Sequence, residues 1–371
     1  MSDMLGKVVL AGFAIFAMIF GSGNIVFPLI IGKNFASHWS ISNLGWLLAT
    51  VFVPLIGYYG AMLFDADTKK YLKPTGKYFI AIFTFLVMMM TGPFGVTARG
   101  VNVSFGGIHI LSPNMPEWIF NIIYVAITIL LAWNPGKIVH LLGTIFTPLK
   151  FGGIALIVIG ALYFCESSIP VSEIPRLVAF INGFEMGYQT MDLLAAFIMA
   201  TSIYVYIKNA LPDDKKNDKN QLLKFCAGAC VVGGIVLTVV YTGLAFVGAK
   251  YSIALQDTPD EALFTEVAKI AMGSYASWFV AIVIASCCLA TNIVLSSIFT
   301  DYVYKDICKE KINRKLILIL VGITTVAVSF LGFAKLCSLM GLILAKLYPI
   351  MIIFVIARII YYYAKGSKED A

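Results

Sequence analysis

The sequence has 371 residues, of which 60% are hydrophobic and 13% are charged. A soluble domain of this size does not need so much apolar surface, so the composition excludes a water-soluble protein and predicts one whose partner is the lipid bilayer. The net charge of +7 does not indicate a nucleic-acid partner, because the basic residues are divided between the two sides of a membrane rather than gathered in one patch.

Apolar runs long enough to cross a membrane occur throughout the chain. A bilayer core of roughly 30 Å needs about 20 apolar residues per helix, and ten runs qualify. In chain order they are Val8–Ile31, Ile41–Phe64, Tyr78–Val101, Trp118–Trp133, Ile138–Phe164, Leu177–Ile207, Leu222–Val247, Tyr275–Thr300, Leu316–Ala334 and Leu339–Tyr363. The first is too long for a signal-peptide core and no small-residue cleavage site follows it, so it is predicted to be a retained helix. The sequence therefore predicts an all-α integral membrane protein.

The lysines and arginines predict the orientation of these helices. With the N-terminus in the cytoplasm, 19 of them fall in inner segments and 6 in outer segments. This bias predicts that both termini are cytoplasmic. The expected location is the inner membrane. The six outer residues are Lys33, Arg99, Arg176, Lys250, Lys269 and Lys335. The outer segment Gly248–Ser274 is also predicted to contain a short helix, whose apolar face is formed by Leu263, Val267, Ile270 and Ala271.

The ten runs divide into two halves of five, residues 1–165 and 166–371. Because five is odd, the second half enters the membrane in the opposite orientation, and the pattern predicts a 5+5 inverted repeat that forms one transport domain. Each half opens with a run unsuited to a continuous helix, through "GSGN" (Gly21–Asn24) and "GFEMGYQTMD" (Gly183–Asp192). Corresponding interruptions in inverted halves indicate a transporter's binding site. The alternative is a glycine-lined kink or a close helix crossing.

The first interruption has residues suited to holding a zwitterion or a cation. Gly21, Ser22 and Gly23 leave backbone N–H groups accessible to a substrate carboxylate at the positive end of the outer half-helix. Asn24 adds a neutral amide that either coordinates a ligand or holds the interruption open.

The second interruption has carboxylates inside a predicted membrane span. A central carboxylate costs on the order of 3 kcal/mol on insertion scales and usually lines a cavity or an ion path, which makes Asp192 a candidate for substrate binding. The alternative for Asp192 is a partner for a buried base or for a freed N–H group. For Glu185 a structural or gating role is at least as well supported as ligand binding. The remaining candidate substrate residues here are Phe184, Gly187, Tyr188 and Thr190.

Two motifs resemble a known family. "GFAIFAMIFGSGNIVFPLIIG" (Gly12–Gly32) and "GYQTMDLLAAFI" (Gly187–Ile198) resemble the bacterial branched-chain amino acid:cation symporters, of the amino acid–polyamine–cation superfamily with its five-plus-five inverted-repeat fold. The resemblance implies import of leucine, isoleucine or valine coupled to Na⁺ by alternating access, without covalent chemistry or an organic cofactor. Relatives typically have about twelve helices; the ten expected here complete the transport core.

The resemblance also implies where the coupling cation binds. In sodium-coupled relatives of this fold, one cation lies between helices 1 and 8, and the matching residues are Ala17, Phe20, Cys288, Thr291 and Asn292. The first three would offer carbonyl oxygens, and the last two a hydroxyl and an amide oxygen. The alternative for Thr291 is a hydrogen bond to its own helix.

Lys150 raises the alternative that the coupling ion is a proton instead of sodium. It lies near the middle of the fifth apolar run, where its ammonium would occupy the space of a bound sodium, as in some proton-coupled members of the superfamily. Burial disfavours the charged form of an amine, so such a lysine can alternately hold and release a proton. The alternatives are extension toward the inner surface or pairing with a carboxylate.

Three other classes of function compete with a branched-chain amino acid carrier. A carrier of the same fold for nucleobases or divalent metals is one, but the first interruption contains no carboxylate for a metal. An intramembrane enzyme is disfavoured because the sequence has no His-Glu-x-x-His zinc pair and no Gly-x-Ser-Gly motif. A channel is disfavoured by the paired interruptions.

Overall fold

The computed structural model describes residues 2–134, 147–164, 168–211 and 218–365, and these contain helices and no strand. In chain order the α-helices are α1 (Ser2–Ile19), α2 (Ser22–Phe35), α3 (Trp39–Leu47), α4 (Val53–Leu63), α5 (Thr68–Leu72), α6 (Lys77–Thr91), α7 (Val96–His109), α8 (Glu117–Ala132), α9 (Thr147–Tyr163), α10 (Arg176–Gly187), α11 (Asp192–Ala210), α12 (Lys219–Lys250), α13 (Leu263–Tyr302), α14 (Arg314–Ser329) and α15 (Phe333–Lys365). The predicted all-α architecture is confirmed.

The predicted apolar runs fall where the structure has helices, but a single run does not always correspond to a single helix. Six helical stretches are long and apolar enough to cross a membrane: Ser22–Leu63, Lys77–His109, Asp192–Ala210, Lys219–Lys250, Asp260–Ile307 and Phe333–Ala364. Shorter apolar helices cover Met4–Ile19, Glu117–Ala132 and Gly152–Tyr163. The stretch Ser22–Leu63 joins the end of the first predicted run to the whole of the second. Part of the fifth run, residues 138–146, lies outside the described residues.

The third predicted run is interrupted, which the sequence analysis did not predict. α6 ends at Thr91 and α7 begins at Val96, because Pro93 lacks an N–H group and disfavours a helical conformation in the residue before it. The Thr97 hydroxyl donates a hydrogen bond to the Gly92 carbonyl oxygen at 2.9 Å, so this backbone carbonyl has a partner in the interruption. The interruption also corrects the position of Arg99, which lies within α7 with 1% of its surface exposed rather than in an outer segment.

The predicted outer helix is present, but it forms the first part of α13. Gly273 has φ +82° inside that helix and separates Leu263–Met272 from the apolar span. A positive φ of this kind suits glycine, which has no Cβ. Leu263 and Val267 are buried, as predicted, whereas Ile270 is 45% exposed, so the apolar face is narrower than the sequence pattern indicated.

Glycines bring two pairs of helices into backbone contact. A Cβ added at Gly32 of α2 would meet the Ala245 carbonyl oxygen of α12, and one at Gly248 would meet the Leu29 carbonyl oxygen. Between α3 and α10, a Cβ at Gly45 would likewise meet the Phe180 carbonyl oxygen. Small residues at helix interfaces permit this approach, which lets van der Waals packing hold membrane helices together.

Substituting Gly32 tests the contact between α2 and α12. We expect Gly32→Ala to lower the free energy of unfolding by about 1–3 kcal/mol, because the added methyl group has no space. The matched control is Gly6→Ala in α1, where a Cβ would meet nothing within 4 Å. There alanine's higher helix propensity should leave stability unchanged or raise it by up to about 1 kcal/mol. Thermal unfolding in detergent measures both; equal melting temperatures for the two variants would contradict the contact.

Candidate functional site

The first interruption separates α1 from α2 at Phe20 and Gly21. Gly21 is extended (φ −112°, ψ −165°), and its N–H donates to Asn24 Oδ1 at 3.4 Å. In a continuous helix this N–H would donate to the Ala17 carbonyl four residues earlier. Asn24 therefore satisfies one backbone group that the interruption frees, and the Ala17 carbonyl loses its helical donor. In an apolar environment, irregular backbone persists where such substitutes exist.

The second interruption separates α10 from α11. Residues Tyr188–Thr190 form one 3₁₀ turn, and Met191 then adopts the left-handed conformation with φ 60° and ψ 21°. This change of direction ends one helix and lets the next begin at Asp192. The irregular segment is shorter than the motif Gly183–Asp192, because the helix continues to Gly187.

A polar network connects the two interruptions. Asn24 Nδ2 donates to Asp192 Oδ2 at 2.8 Å and to the Tyr241 hydroxyl of α12 at 2.6 Å. Asn24 and Asp192 are each 2% exposed, and Tyr241 is fully buried. Gly23 lies close to the second interruption, since an added Cβ would be 3.8 Å from Thr190 Cα. The sequence analysis identified Asn24 and Asp192 but missed Tyr241, which looks like any other tyrosine in an apolar run.

The other predicted substrate residues take different positions. Ser22 is 1% exposed, and within the described parts of the chain its hydroxyl has no hydrogen-bond partner. The Thr190 hydroxyl donates to the Gly187 carbonyl oxygen at 2.9 Å, within its own turn. A Cβ at Gly187 would meet Ala49 Cβ, so this glycine is a helix contact.

Aromatic rings form one wall of the second interruption. Phe184 and Tyr188 make an edge-to-face contact with centroids 5.4 Å apart. Tyr188 also stacks on Tyr348 of α15 at 4.7 Å. The Tyr348 hydroxyl accepts the Leu193 N–H at 3.2 Å, which satisfies a donor at the start of α11. These rings provide the apolar, shape-defining surface that ligand pockets commonly have.

The ammonium of Lys150 lies at the predicted cation position. Lys150 Nζ, on α9, is 3.2 Å from the Phe20 carbonyl oxygen and 3.5 Å from Thr291 Oγ1. Lys150 is 5% exposed, and no carboxylate in the described residues lies within 4.0 Å of it. Thr291 also donates to the Cys287 carbonyl oxygen at 3.3 Å. Phe20 and Thr291 thus meet as predicted, around a positively charged side chain of the protein.

Asn292, another predicted cation ligand, has its side chain bound to a neighbouring helix. Asn292 Nδ2 donates to the Thr97 carbonyl oxygen of α7 at 2.9 Å, and a Cβ at Gly100 would meet Asn292 Oδ1. The Asn292 amide therefore faces α7. Cys288 is fully buried in α13, and Ala17 lies in the last turn of α1.

A cavity opens above the second interruption, toward the predicted outer loop. Its volume is about 640 Å³, and its polar lining includes Glu185, Gln189 and Asp260. Tyr188 is the member of the predicted substrate set that lines it. The other lining residues are Phe27, Ile30, Asn34, Phe35, Asn182, Met186, Phe333, Ala334, Cys337, Ser338, Gly341, Leu344 and Ala345.

Sequence comparison assigns the family. The profile of a family described as "Branched-chain amino acid transport protein" matches residues 5–371. The chain belongs to this family. The protein is therefore a multi-pass membrane transporter and not an enzyme.

Several relatives match along most of their length. "Branched-chain amino acid permease BrnQ" of Bacillus subtilis (strain 168) is 28% identical over 372 residues, covering 98% of this chain and 83% of the relative. "Branched-chain amino acid permease BraB" of the same organism is 29% identical over 371 residues, covering 97% and 81%. A solved structure described as "Inward facing conformation of Mhp1" has a TM-score of 0.64 at 12% identity and covers 94% of this chain and 75% of that one. This similarity concerns the fold, and it confirms the predicted transporter fold class.

Proposed function

We propose that this branched-chain amino acid transport protein imports leucine, isoleucine or valine across the bacterial inner membrane, driven by protons held at Lys150. The substrate class rests on the names of the relatives. The coupling ion rests on one observation, the contacts of the Lys150 ammonium with the Phe20 carbonyl oxygen and Thr291 Oγ1. Sodium, the first expectation from the sequence, would need the same oxygens. A second positive charge beside the ammonium is unfavourable in a low-dielectric site.

Protonation of Lys150 changes how strongly it binds the Phe20 carbonyl oxygen and the Thr291 hydroxyl. A protonated Lys150 donates charge-assisted hydrogen bonds that tie α9 to the end of α1 and to α13. After the proton leaves, the neutral amine holds the Phe20 carbonyl and the Thr291 hydroxyl less strongly, so the end of α1 is released. Proton uptake from the outer side and loss to the cytoplasm would then bias the carrier between two conformations.

The remaining parts of the proposal concern architecture. The two halves, residues 1–165 and 166–371, form an inverted repeat, and both termini lie in the cytoplasm. The interruptions at Phe20–Gly21 and Tyr188–Met191, each in the first apolar run of its half, support the repeat. A bundle that includes both interrupted helices rocks against the other helices around the polar network.

An ion-exchange experiment tests the proposed coupling. Purified protein in sealed vesicles should accumulate labelled leucine under an inward proton gradient in sodium-free buffer, and accumulation should rise as the external pH falls. A sodium gradient without a proton gradient should give at most the passive level, and a protonophore should abolish accumulation. A strict requirement for sodium would overturn proton coupling and leave the carrier function intact. No leucine uptake under either gradient would overturn the transport proposal itself.

A further inference from the structure

Arg99 is a buried cation that the proposed coupling mechanism does not use. It lies in the first turn of α7, and it is 1% exposed. Its position follows from the interruption at Gly92–Gly95, which carries the start of α7 into the core instead of ending the helix at the outer surface. A charged side chain inside a membrane protein is costly and usually marks a binding site or an ion path.

The contacts of Arg99 place its guanidinium directly behind the wall of the outer cavity. Nη1 donates to the Gln189 carbonyl oxygen at 2.8 Å and is 4.0 Å from Cys337 Sγ. Cζ lies 5.8 Å from the centre of the Phe27 ring. Gln189, Cys337 and Phe27 all line the cavity of about 640 Å³. The guanidinium therefore lies where three elements meet: α2, the second interruption and α15.

Arg99 forms no ion pair in the described residues, although the Asp192 carboxylate interacts with its charge from a longer distance. In the described parts of the chain, no carboxylate oxygen lies within 4.0 Å of it, and Nε has no hydrogen-bond partner. Asp192 accepts instead from Asn24. A guanidinium has five N–H donors in a planar fork that matches a carboxylate. Burying such a charge without a bound carboxylate is unfavourable, and a bound anion would offset this cost.

The charges around the cavity suit a zwitterion in one orientation. Glu185 and Asp260 line the cavity. Asp260 forms an ion pair with Lys33 at 3.4 Å, so Glu185 is the lining carboxylate that attracts an ammonium group. Arg99 supplies the positive charge at its inner wall, where Gln189 Nε2 donates to the Cys337 carbonyl oxygen at 3.1 Å. A carboxylate that reaches Arg99 would replace the Gln189 carbonyl as the acceptor of Nη1.

We propose that Arg99 binds the α-carboxylate of the amino-acid substrate. This inference rests on the proposed function and gives a binding role to a residue that the sequence analysis assigned only to an outer segment. The sequence analysis placed the carboxylate at the N–H groups of Gly21–Gly23. Arg99 moves it outward by about one helical turn, since Phe27 follows Gly23 by four residues in α2.

The test compares leucine with leucinol, which retains the amine and the side chain but lacks the carboxylate. Ligand binding to purified protein is measured by the ligand-induced rise in melting temperature and by competition with labelled leucine. The wild type should bind leucine at least about tenfold more tightly than leucinol. Arg99→Gln should weaken leucine binding by about 10- to 100-fold and leave leucinol binding nearly unchanged. Arg99→Lys, which keeps the charge but loses the fork, should fall between them.

Each other outcome has a defined meaning. Equal weakening of leucine and leucinol by Arg99→Gln would show a structural role and overturn the proposal. Equal affinities of the wild type for the two ligands would overturn it even if neither Arg99 variant folds. The control Arg176→Gln, at an exposed outer arginine, should preserve the wild-type ratio. A wild type that binds neither ligand would instead overturn the proposed function.

Discussion

Replacing Lys150 with methionine is expected to abolish proton-driven accumulation of leucine. Methionine has an apolar side chain of similar length but no ammonium for the Phe20 carbonyl oxygen and Thr291 Oγ1, which lie 3.2 and 3.5 Å from Nζ. Hydrogen bonds from a charged donor are worth about 1.5–3 kcal/mol. Their loss removes the only group proposed to carry the proton, so accumulation should fall to the passive level. Uptake into sealed vesicles under an inward proton gradient measures the effect.

The matched control for this prediction is Lys346→Met. Lys346 also falls within a predicted membrane span, but it is exposed on α15 and belongs to neither interruption. This variant should retain most of the wild-type accumulation. Leucine–leucine exchange without a gradient provides a second measurement, because it needs substrate binding but no net proton movement. Undiminished proton-driven accumulation by Lys150→Met would refute the assignment of the proton to Lys150.

Replacing Asn24 with alanine is expected to lower the initial rate of leucine exchange by at least about tenfold. The Asn24 amide donates to Asp192 Oδ2 at 2.8 Å and to the Tyr241 hydroxyl at 2.6 Å, and it accepts the Gly21 N–H. Alanine leaves a buried carboxylate without this donor, which costs about 1.5–3 kcal/mol or more. It also frees the backbone of the first interruption. Exchange rates and melting temperatures should both fall.

Two comparisons separate this network from general destabilisation. Asn209→Ala removes an exposed amide from α11, the helix that begins at Asp192, and should change the rate by less than about twofold. Adding Asp192→Ala to the Asn24 variant should lower the rate by much less than Asp192→Ala alone, because residues that share a hydrogen bond have non-additive effects. Full additivity of the two substitutions would mean that Asn24 and Asp192 act independently.

Several features of the site follow from local sequence. "GSGN" predicts an interruption within Gly21–Asn24, because two glycines and an asparagine disfavour a continuous apolar helix. The structure has it at Phe20–Gly21, and α2 already begins at Ser22. The carboxylate of Asp192 inside an apolar run predicts a buried polar partner. The family resemblance places Phe20 and Thr291 at one cation site, and Lys150, near the middle of the fifth apolar run, is expected in the space of that cation. The meeting of these three residues is therefore predicted.

Other features depend on which helix faces come together, and one sequence does not determine this. Tyr241 and Asn292 lie in apolar helices with no local mark of their partners, and the structure shows them bound to Asn24 and Thr97. From the sequence, Gly187 is suited to close approach by either a ligand or a neighbouring helix. In the structure it lies against Ala49 of a neighbouring helix. Arg99 was assigned to the outer side because the apolar run ended nearby, whereas Pro93 redirects the chain and the helix continues to His109.

The backbone contacts at Gly32, Gly45 and Gly248 have a mechanical consequence. Where two backbones touch, neither helix can slide or rotate past the other without a steric clash, because no flexible side chains lie between them to adjust. α2 with α12, and α3 with α10, therefore behave as two stiff pairs. Solvent would not reach the polar network between the two helices of either pair. It would reach the network beside the pairs, where longer side chains such as Phe27 and Tyr188 can change rotamer.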